Sequence, residues 1–306
     1  DLSATRLYEP AGMTRTSSRF ADFINDDNHA ATHVQADGQW LPRYVRNADA
    51  QSPAGGVSST ASDMARWMRL QLGDGTLDGT GIIASDPLAE TRAPHSVANP
   101  PVGFYGLGWL VSLDPTGLRL SHSGAFGLGA GTTVYLFPEE GLGITVLTNG
   151  YPIGLAETIA LGFLDVARHG SVQNDYLAIL DPIFAADMAP KYGQGVAGDP
   201  PVDPTPPLDL AAYTGTWHNR FHGTIEIARD GDGLTLAQGP ADDPDTYPLE
   251  HWDRDVFTYL PVGENANARS AVTFTIGSDG VATAMVVENL DVRHQGTFTR
   301  EESAAT

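Results

Sequence analysis

A chain of 306 residues exceeds what one compact core usually organises and points to two domains. Its 41% hydrophobic and 18% charged residues can fill packed interiors, and no apolar run approaches the length of a membrane span. With 38 acidic against 17 basic residues the net charge is −21, which disfavours nucleic acid and anionic membranes as partners. Lys191 is the only lysine; adaptation to salt and a coding bias toward arginine explain that equally well. The absence of cysteine excludes disulfides, thiolate metal sites and cysteine nucleophiles, and leaves the redox compartment open.

Asp1 to Met13 reads as the end of a helix running into a turn at Glu9-Pro10-Ala11-Gly12, and shows no signal-peptide pattern of its own, one having been removed or lying outside this piece. Residues 14 to 52 are polar and irregular, as in a surface excursion carrying short strands. In SPAGGVSSTASDMARWMRLQLGDG, Ser59 or Thr60 can cap a helix whose Met64, Trp67, Met68 and Leu72 recur at helical spacing, and Gly73 ends it. Tyr105 to Val111, Leu118 to Ser121, Thr132 to Phe137 and Gly143 to Thr148 are predicted strands, and their short joins make antiparallel neighbours of them. Pro152 to His169 and Asn174 to Met188 carry helical patterning and should cover one face of that sheet. The expected domains are 1–192, a Pro/Gly linker over 193–207, an all-β barrel or meander over 208–300, and a tail over 301–306.

The run Leu118 to Asn149, LRLSHSGAFGLGAGTTVYLFPEEGLGITVLTN, places a His-Ser-Gly triplet on a strand followed by glycines. Together with EPAGMTRT, SPAGGVSSTASDMARWM, YGLGWLV and VLTNG in the same order, it resembles the penicillin-binding-protein-like serine hydrolases related to class C β-lactamases. The likeness spans about the first 170 residues. The tail, through LAAYTGTWHN, the turn at Gly223 and LEHWDRDVF, is similar to a lipocalin-like accessory domain. The resemblance implies an α/β (α+β) β-lactamase/transpeptidase-like domain followed by a small barrel. It implies no cofactor and no metal, a small peptide, ester or β-lactam-like substrate, and a periplasmic or secreted setting.

In that family the nucleophile is the serine of Ser-x-x-Lys, and Tyr-x-Asn assists its proton transfer. Neither motif occurs between Asp1 and Thr306. Both should lie upstream of the EPAGMTRT segment, so these residues are expected to be the downstream part of the hydrolase and to need that missing N-terminal segment as a partner. The third motif would be His122-Ser123-Gly124. Gly124 lets a substrate backbone approach, His122 supports the tyrosine or a substrate carboxylate, and the Ala125 amide serves the oxyanion. Ser123 should not inherit the nucleophile's role, because adjacent strand residues point to opposite faces and the only nearby base is His122. A different class also fits: a non-catalytic scaffold whose barrel binds a ligand, with Tyr213, Trp217, Trp252, Phe257 and Tyr259 at its mouth or in its core. Gly55 to Thr60 lacks a phosphate-loop ending and reads as a helix approach. His29/His33, His218/His222 and Asp230-Gly-Asp-Gly fall short of metal-ligand sets.

Overall fold

The computed structural model describes residues 2–36, 38–98, 103–263 and 268–301, which divide into two compact units, residues 1–188 and 189–306. Of the expected tail, all but Glu301 lies outside the described residues.

The first unit opens with a π-helical turn, Ala4–Tyr8, and α1 (Phe20–Asn25). The hairpin β1 (Val34–Ala36) and β2 (Gln39–Leu41), the single turn α2 (Ser52–Gly55) and α3 (Ala61–Leu72) follow. Then come β3 (Thr76–Leu77), β4 (Thr80–Gly81), α4 (Ser85–Arg92), β5 (Ser96–Val97), β6 (Phe104–Tyr105), β7 (Leu110–Asp114), β8 (Gly117–Phe126), β9 (Ala130–Phe137) and β10 (Leu142–Thr148). The helices α5 (Leu155–His169) and α6 (Tyr176–Met188) close the unit.

Strands β5 to β10 form one antiparallel six-stranded sheet in sequential order, with β10 at one edge. The helix α3 starts where the sequence marks it: the Thr60 side chain accepts the Asp63 amide at 3.2 Å, and Gly73 caps the other end. Its Trp67, Met68 and Leu72 pack over Leu118 and Leu120 of β8 and Val134 and Leu136 of β9. Leu120 pairs with Leu136 and His122 with Val134, and directly opposed residues share a face, so His122 lies on the α3 side. The helix α5 covers the other face of β9 and β10, where the Arg168 guanidinium sits 4.6 Å over the Phe137 ring. The second expected covering helix, α6, packs on α5 instead of on the sheet.

The stretch Tyr105 to Val111, read as one strand, is two. The chain reverses after Tyr105: Gly106 donates to the Trp109 carbonyl at 2.8 Å, Gly108 takes φ +90, and β6 then pairs back on β7. Two glycines in four residues allow that turn, and the alternating apolar pattern on either side conceals it.

The second unit is a closed antiparallel barrel of eight strands in sequential order. These are β11 (Gly215–Asn219), β12 (Gly223–Asp230), β13 (Gly233–Gln238), β14 (Asp245–Asp253), β15 (Val256–Tyr259), β16 (Ser270–Ile276), β17 (Ala282–Val287) and β18 (Thr297–Arg300). Pairing of Trp217 with Arg300 and of His218 with Thr299 closes it. Alternation sends Trp217, Ile225, Ile227, Leu234, Leu236, Phe257 and Phe298 inward, where they fill the interior.

The segment 193–207, expected to be a linker, is laid against this unit and counts within it. Val196 is 3% exposed, the Arg254 amide donates to the Thr205 carbonyl at 2.8 Å, and the Thr205 amide donates to Asp253 at 2.7 Å. Prolines stiffen a chain without requiring it to stand free of its neighbours.

Candidate active-site wall

The His-Ser-Gly strand has one partner along part of its length. The last pair between β7 and β8 is Leu110 with Ser121, whereas β9 stays paired with β8 through Phe126. Among the described residues, 122 to 126 therefore have a strand on one side only. On the β9 side, the His122 carbonyl accepts the Thr133 hydroxyl at 3.3 Å and the Phe126 carbonyl accepts the Gly129 amide at 2.9 Å. Main-chain groups alternate in direction along an antiparallel strand. The N–H and C=O of Ser123 and Ala125 accordingly face the open edge.

The four expected site residues are all on this half-strand, and they divide between its two faces. His122 and Gly124 are on the α3 side; Ser123 and Ala125 are on the α5 side. The Ser123 hydroxyl is paired with the Thr133 hydroxyl at 2.9 Å, directly across the strands. That places it on the face opposite the imidazole, with its hydroxyl taken up by Thr133.

His122 is exposed, and both of its ring nitrogens are engaged. Nδ1 lies 3.0 Å from the Ser123 carbonyl oxygen and Nε2 lies 2.9 Å from the Tyr105 hydroxyl, with the two rings edge-on at 5.8 Å. Tyr105 was not singled out in the sequence. Its position in the Tyr-Gly-Leu-Gly-Trp run, one residue before the reversal, was the available signal. The reversal is held in place: Leu107 donates to the Thr91 carbonyl at 2.8 Å, and buried Trp109 stacks on Trp67 at 5.5 Å.

Gly124 is required by close approach. A Cβ there would stand 2.8 Å from the Thr132 hydroxyl and 2.9 Å from the Phe126 ring. Those two residues also line a cleft of about 970 Å³ on the α3 side, together with Met64 and Trp67, the Gly55 to Thr60 approach, and Arg46. The His122 to Ala125 segment is not itself among the lining residues; the wall borders the cleft through Phe126 and Thr132. The Arg46 guanidinium stacks on the Phe126 ring at 4.3 Å and donates to the Gly55 carbonyl at 2.7 Å. Gly129, in the β8–β9 turn at φ +116, has the His33 backbone so near that a Cβ would come within 2.6 Å of it. That glycine lets His33 bridge to Gly150, beside the start of the wall's partner strand.

The remaining candidates resolve into structure. Gly55 to Thr60 leads into α3, and Ser58 bridges back to Ser17. The His222 Nε2 contacts the Leu290 carbonyl at 3.0 Å and the His29 Nδ1 the Asp26 carbonyl at 2.6 Å; among the described residues no three His, Asp or Glu side chains converge as a metal set. Asp230 and Gly233 end and begin strands around a two-residue turn. Tyr213, Trp217, Phe257 and Tyr259 are packed into the barrel core and Trp252 is buried, so these aromatic rings do not line an open mouth. Among the described residues no helix is long and apolar enough to cross a membrane.

The β-lactamase family model matches residues 1–161, and a domain family of unknown function, DUF3471, matches residues 199–301. Protein Rv1367c of Mycobacterium tuberculosis is 33% identical over 132 residues, covering 37% of this chain and 32% of that protein. Beta-lactamase-like protein 4 of Dictyostelium discoideum is 30% identical over 110 residues, covering 35% of this chain and 19% of that protein. The chain thus spans about a third or less of the length of these curated relatives. Among solved structures, the C-terminal domain of penicillin binding protein Rv0907 is 33% identical, with 34% of this chain and 97% of that one covered at a TM-score of 0.30. The octameric penicillin-binding protein homologue from Pyrococcus abyssi is 17% identical, with 98% and 59% covered at a TM-score of 0.45.

Proposed function

Since this chain belongs to the β-lactamase family, we propose that it supplies the His-x-Gly wall of an acyl-enzyme hydrolase, with a Ser-x-x-Lys nucleophile contributed by polypeptide outside these 306 residues. The observation that carries this reading is the half-paired strand. From His122 to Phe126 the edge of β8 is open, and the N–H groups of Ser123 and Ala125 are directed at that edge, next to the cleft that Phe126 and Thr132 line.

An acyl group laid along that edge gains main-chain hydrogen bonds as an added strand would. The Ala125 N–H is a fixed dipole already oriented before reaction, and it can stabilise the oxyanion of a tetrahedral intermediate together with the nucleophile's own amide. Gly124 keeps the approach clear of a side chain. The substrate is a small peptide, ester or β-lactam-like acyl donor.

The packed barrel interior gives no support to ligand binding inside the second unit, which leaves the hydrolase reading ahead of the scaffold reading. The test is labelling with a fluorophosphonate or penicillin-type probe. The gene product carrying these residues together with a Ser-x-x-Lys segment should be acylated, and Ala125→Pro, which removes the proposed oxyanion donor, should slow acylation by on the order of a hundredfold or more. The 306-residue chain by itself should remain unlabelled. Acylation of that chain at Ser123, or indifference of the larger product to Ala125→Pro, would sink the assignment.

A further inference from the structure

From the two contacts of the His122 ring we infer that Tyr105 is a positioning residue, which holds His122 in the Nδ1–H tautomer and occupies its Nε2 lone pair. A carbonyl oxygen only accepts hydrogen bonds. The 3.0 Å contact of Nδ1 with the Ser123 carbonyl therefore places the proton on Nδ1. The neutral ring then has its lone pair on Nε2, and the Tyr105 hydroxyl, 2.9 Å away, donates into it. The edge-on ring contact at 5.8 Å adds an orientation that the hydrogen bond alone would not impose.

Each partner is fixed independently of His122. Ser123 is held by the β8–β9 register and by Thr133. Tyr105 is held by its pairing with Leu110 and by the reversal anchored on Thr91 and Trp109. The imidazole is thus clamped between the strand it belongs to and the hairpin that ends where the open half of that strand begins.

The clamp deepens the hydrolase reading by stating what the wall offers an acyl donor. With Nδ1–H spent on the Ser123 carbonyl and Nε2 filled by Tyr105, the neutral ring offers no free N–H at the edge. The donors left facing the substrate are then main-chain N–H groups, and His122 meets it as a ring held in one orientation by Ser123 and Tyr105. Only this catalytic consequence rests on the proposed function; the tautomer does not.

The experiment is a long-range 15N–1H correlation of the histidine rings in the 306-residue chain, at a pH where His122 is neutral. The expected spectrum assigns a pyrrole-type Nδ1 and a pyridine-type Nε2 to His122. In Tyr105→Phe, which keeps the ring and removes the hydroxyl, the Nε2–H tautomer should grow at the expense of Nδ1–H, with the near-ultraviolet signal of the Trp67–Trp109 stack unchanged. An Nε2–H tautomer in the unmutated chain overturns the inference whether or not the variant folds. So does an unchanged tautomer in a folded Tyr105→Phe. In the acylating gene product the same variant should lower kcat with KM little changed, as expected of a residue that acts by positioning another. If no acylation is found at all, the hydrolase reading fails while the NMR result still decides the clamp.

Discussion

In the barrel every strand from β11 to β18 has two partners, whereas in the sheet β10 has one and β8 loses one of its two at Ser121. The cores differ in the same sense. Among the described residues the barrel has a single cluster running from Tyr213 to Phe298, and the first unit has two small ones, around Leu70 and around Leu120, joined through Trp67. On α5, the apolar Leu155, Ile159, Phe163 and Val166 recur at helical spacing and remain exposed. One architecture pairs both edges of every strand and packs one continuous core. The other keeps backbone and apolar surface available, and the candidate site is found in it. Binding a substrate along a strand requires an edge, and an edge is what barrel closure removes.

The contrast can be broken most severely at Trp217, which is wholly buried at the centre of the barrel cluster. Trp217→Ala should cost about 3–5 kcal/mol in lost burial and cavity formation and should abolish a separate barrel transition in calorimetry. A loss below about 1 kcal/mol would mean that the barrel's interior relaxes as readily as a surface.

The sheet's comparable fastening is electrostatic. Arg168, near the end of α5, bonds Asp114 at 3.0 Å, Glu140, and the Thr116 hydroxyl at 2.7 Å, tying the helix to two turns of the sheet. Arg168→Ala should cost roughly 2 kcal/mol, less than a fully buried pair because solvent reaches all three side chains. Burial pulls the Asp114 carboxyl upward, but hydrogen bonds from Thr116 and Arg168 outweigh it and leave it below the usual carboxylate range. Arg168 first and Thr116 second hold Glu140 low. Both folded values are depressed, so this stabilisation is complete above about pH 4 to 4.5 and is lost as pH falls through the lower folded values. Acid unfolding monitored by circular dichroism should show that loss in the unmutated chain and a weaker pH dependence in Arg168→Ala.

At the alkaline end burial raises tyrosines in both units, Tyr135 and Tyr151 in the first and Tyr213 and Tyr259 in the barrel, with the larger shifts in the barrel. Burial, with the neighbouring Asp255 carboxylate, pushes Tyr213 up to about 12, and burial pushes Tyr259 up as well. A raised folded value means stability that is intact below about pH 10 and falls as the pH rises through the folded values. Tyr213→Phe should cost about 1–2 kcal/mol at neutral pH, because the hydroxyl donates to Asp255 at 2.8 Å and accepts the Leu208 amide at 2.9 Å. It should also flatten the alkaline limb of a urea-midpoint profile. The smallest expected effect is at the α3 cap, where Thr60→Ala should remove about 1 kcal/mol from the first unit and leave the barrel's midpoint in place.

Short-range chemistry was legible in the sequence. Thr60 and Gly73 bracket α3 as expected, the Asp230 to Gly233 turn joins two strands, and the alternation from Leu208 onward becomes a barrel. What escaped depends on which strand stands beside which. The reversal at Gly106 to Trp109 divides an apolar run that is continuous by pattern. The loss of β7 at Ser121 exposes only the second half of β8, and the meeting of Tyr105 with His122 follows from both. Residue types indicate that His122 belongs to a strand. Register across seventeen positions decides what its nitrogens touch, and no local propensity encodes register.

The free side of β10 bears on how the chain behaves at high concentration. An unpaired strand is a template onto which a second copy can add, and Leu147 is exposed on this one. A net charge of −21 keeps such copies apart while the Debye length is long. At about 1 M salt that length shrinks to roughly 3 Å and the protection fades. Colloidal stability should therefore fall as ionic strength rises, a property to which the β10 edge and the charge around it contribute.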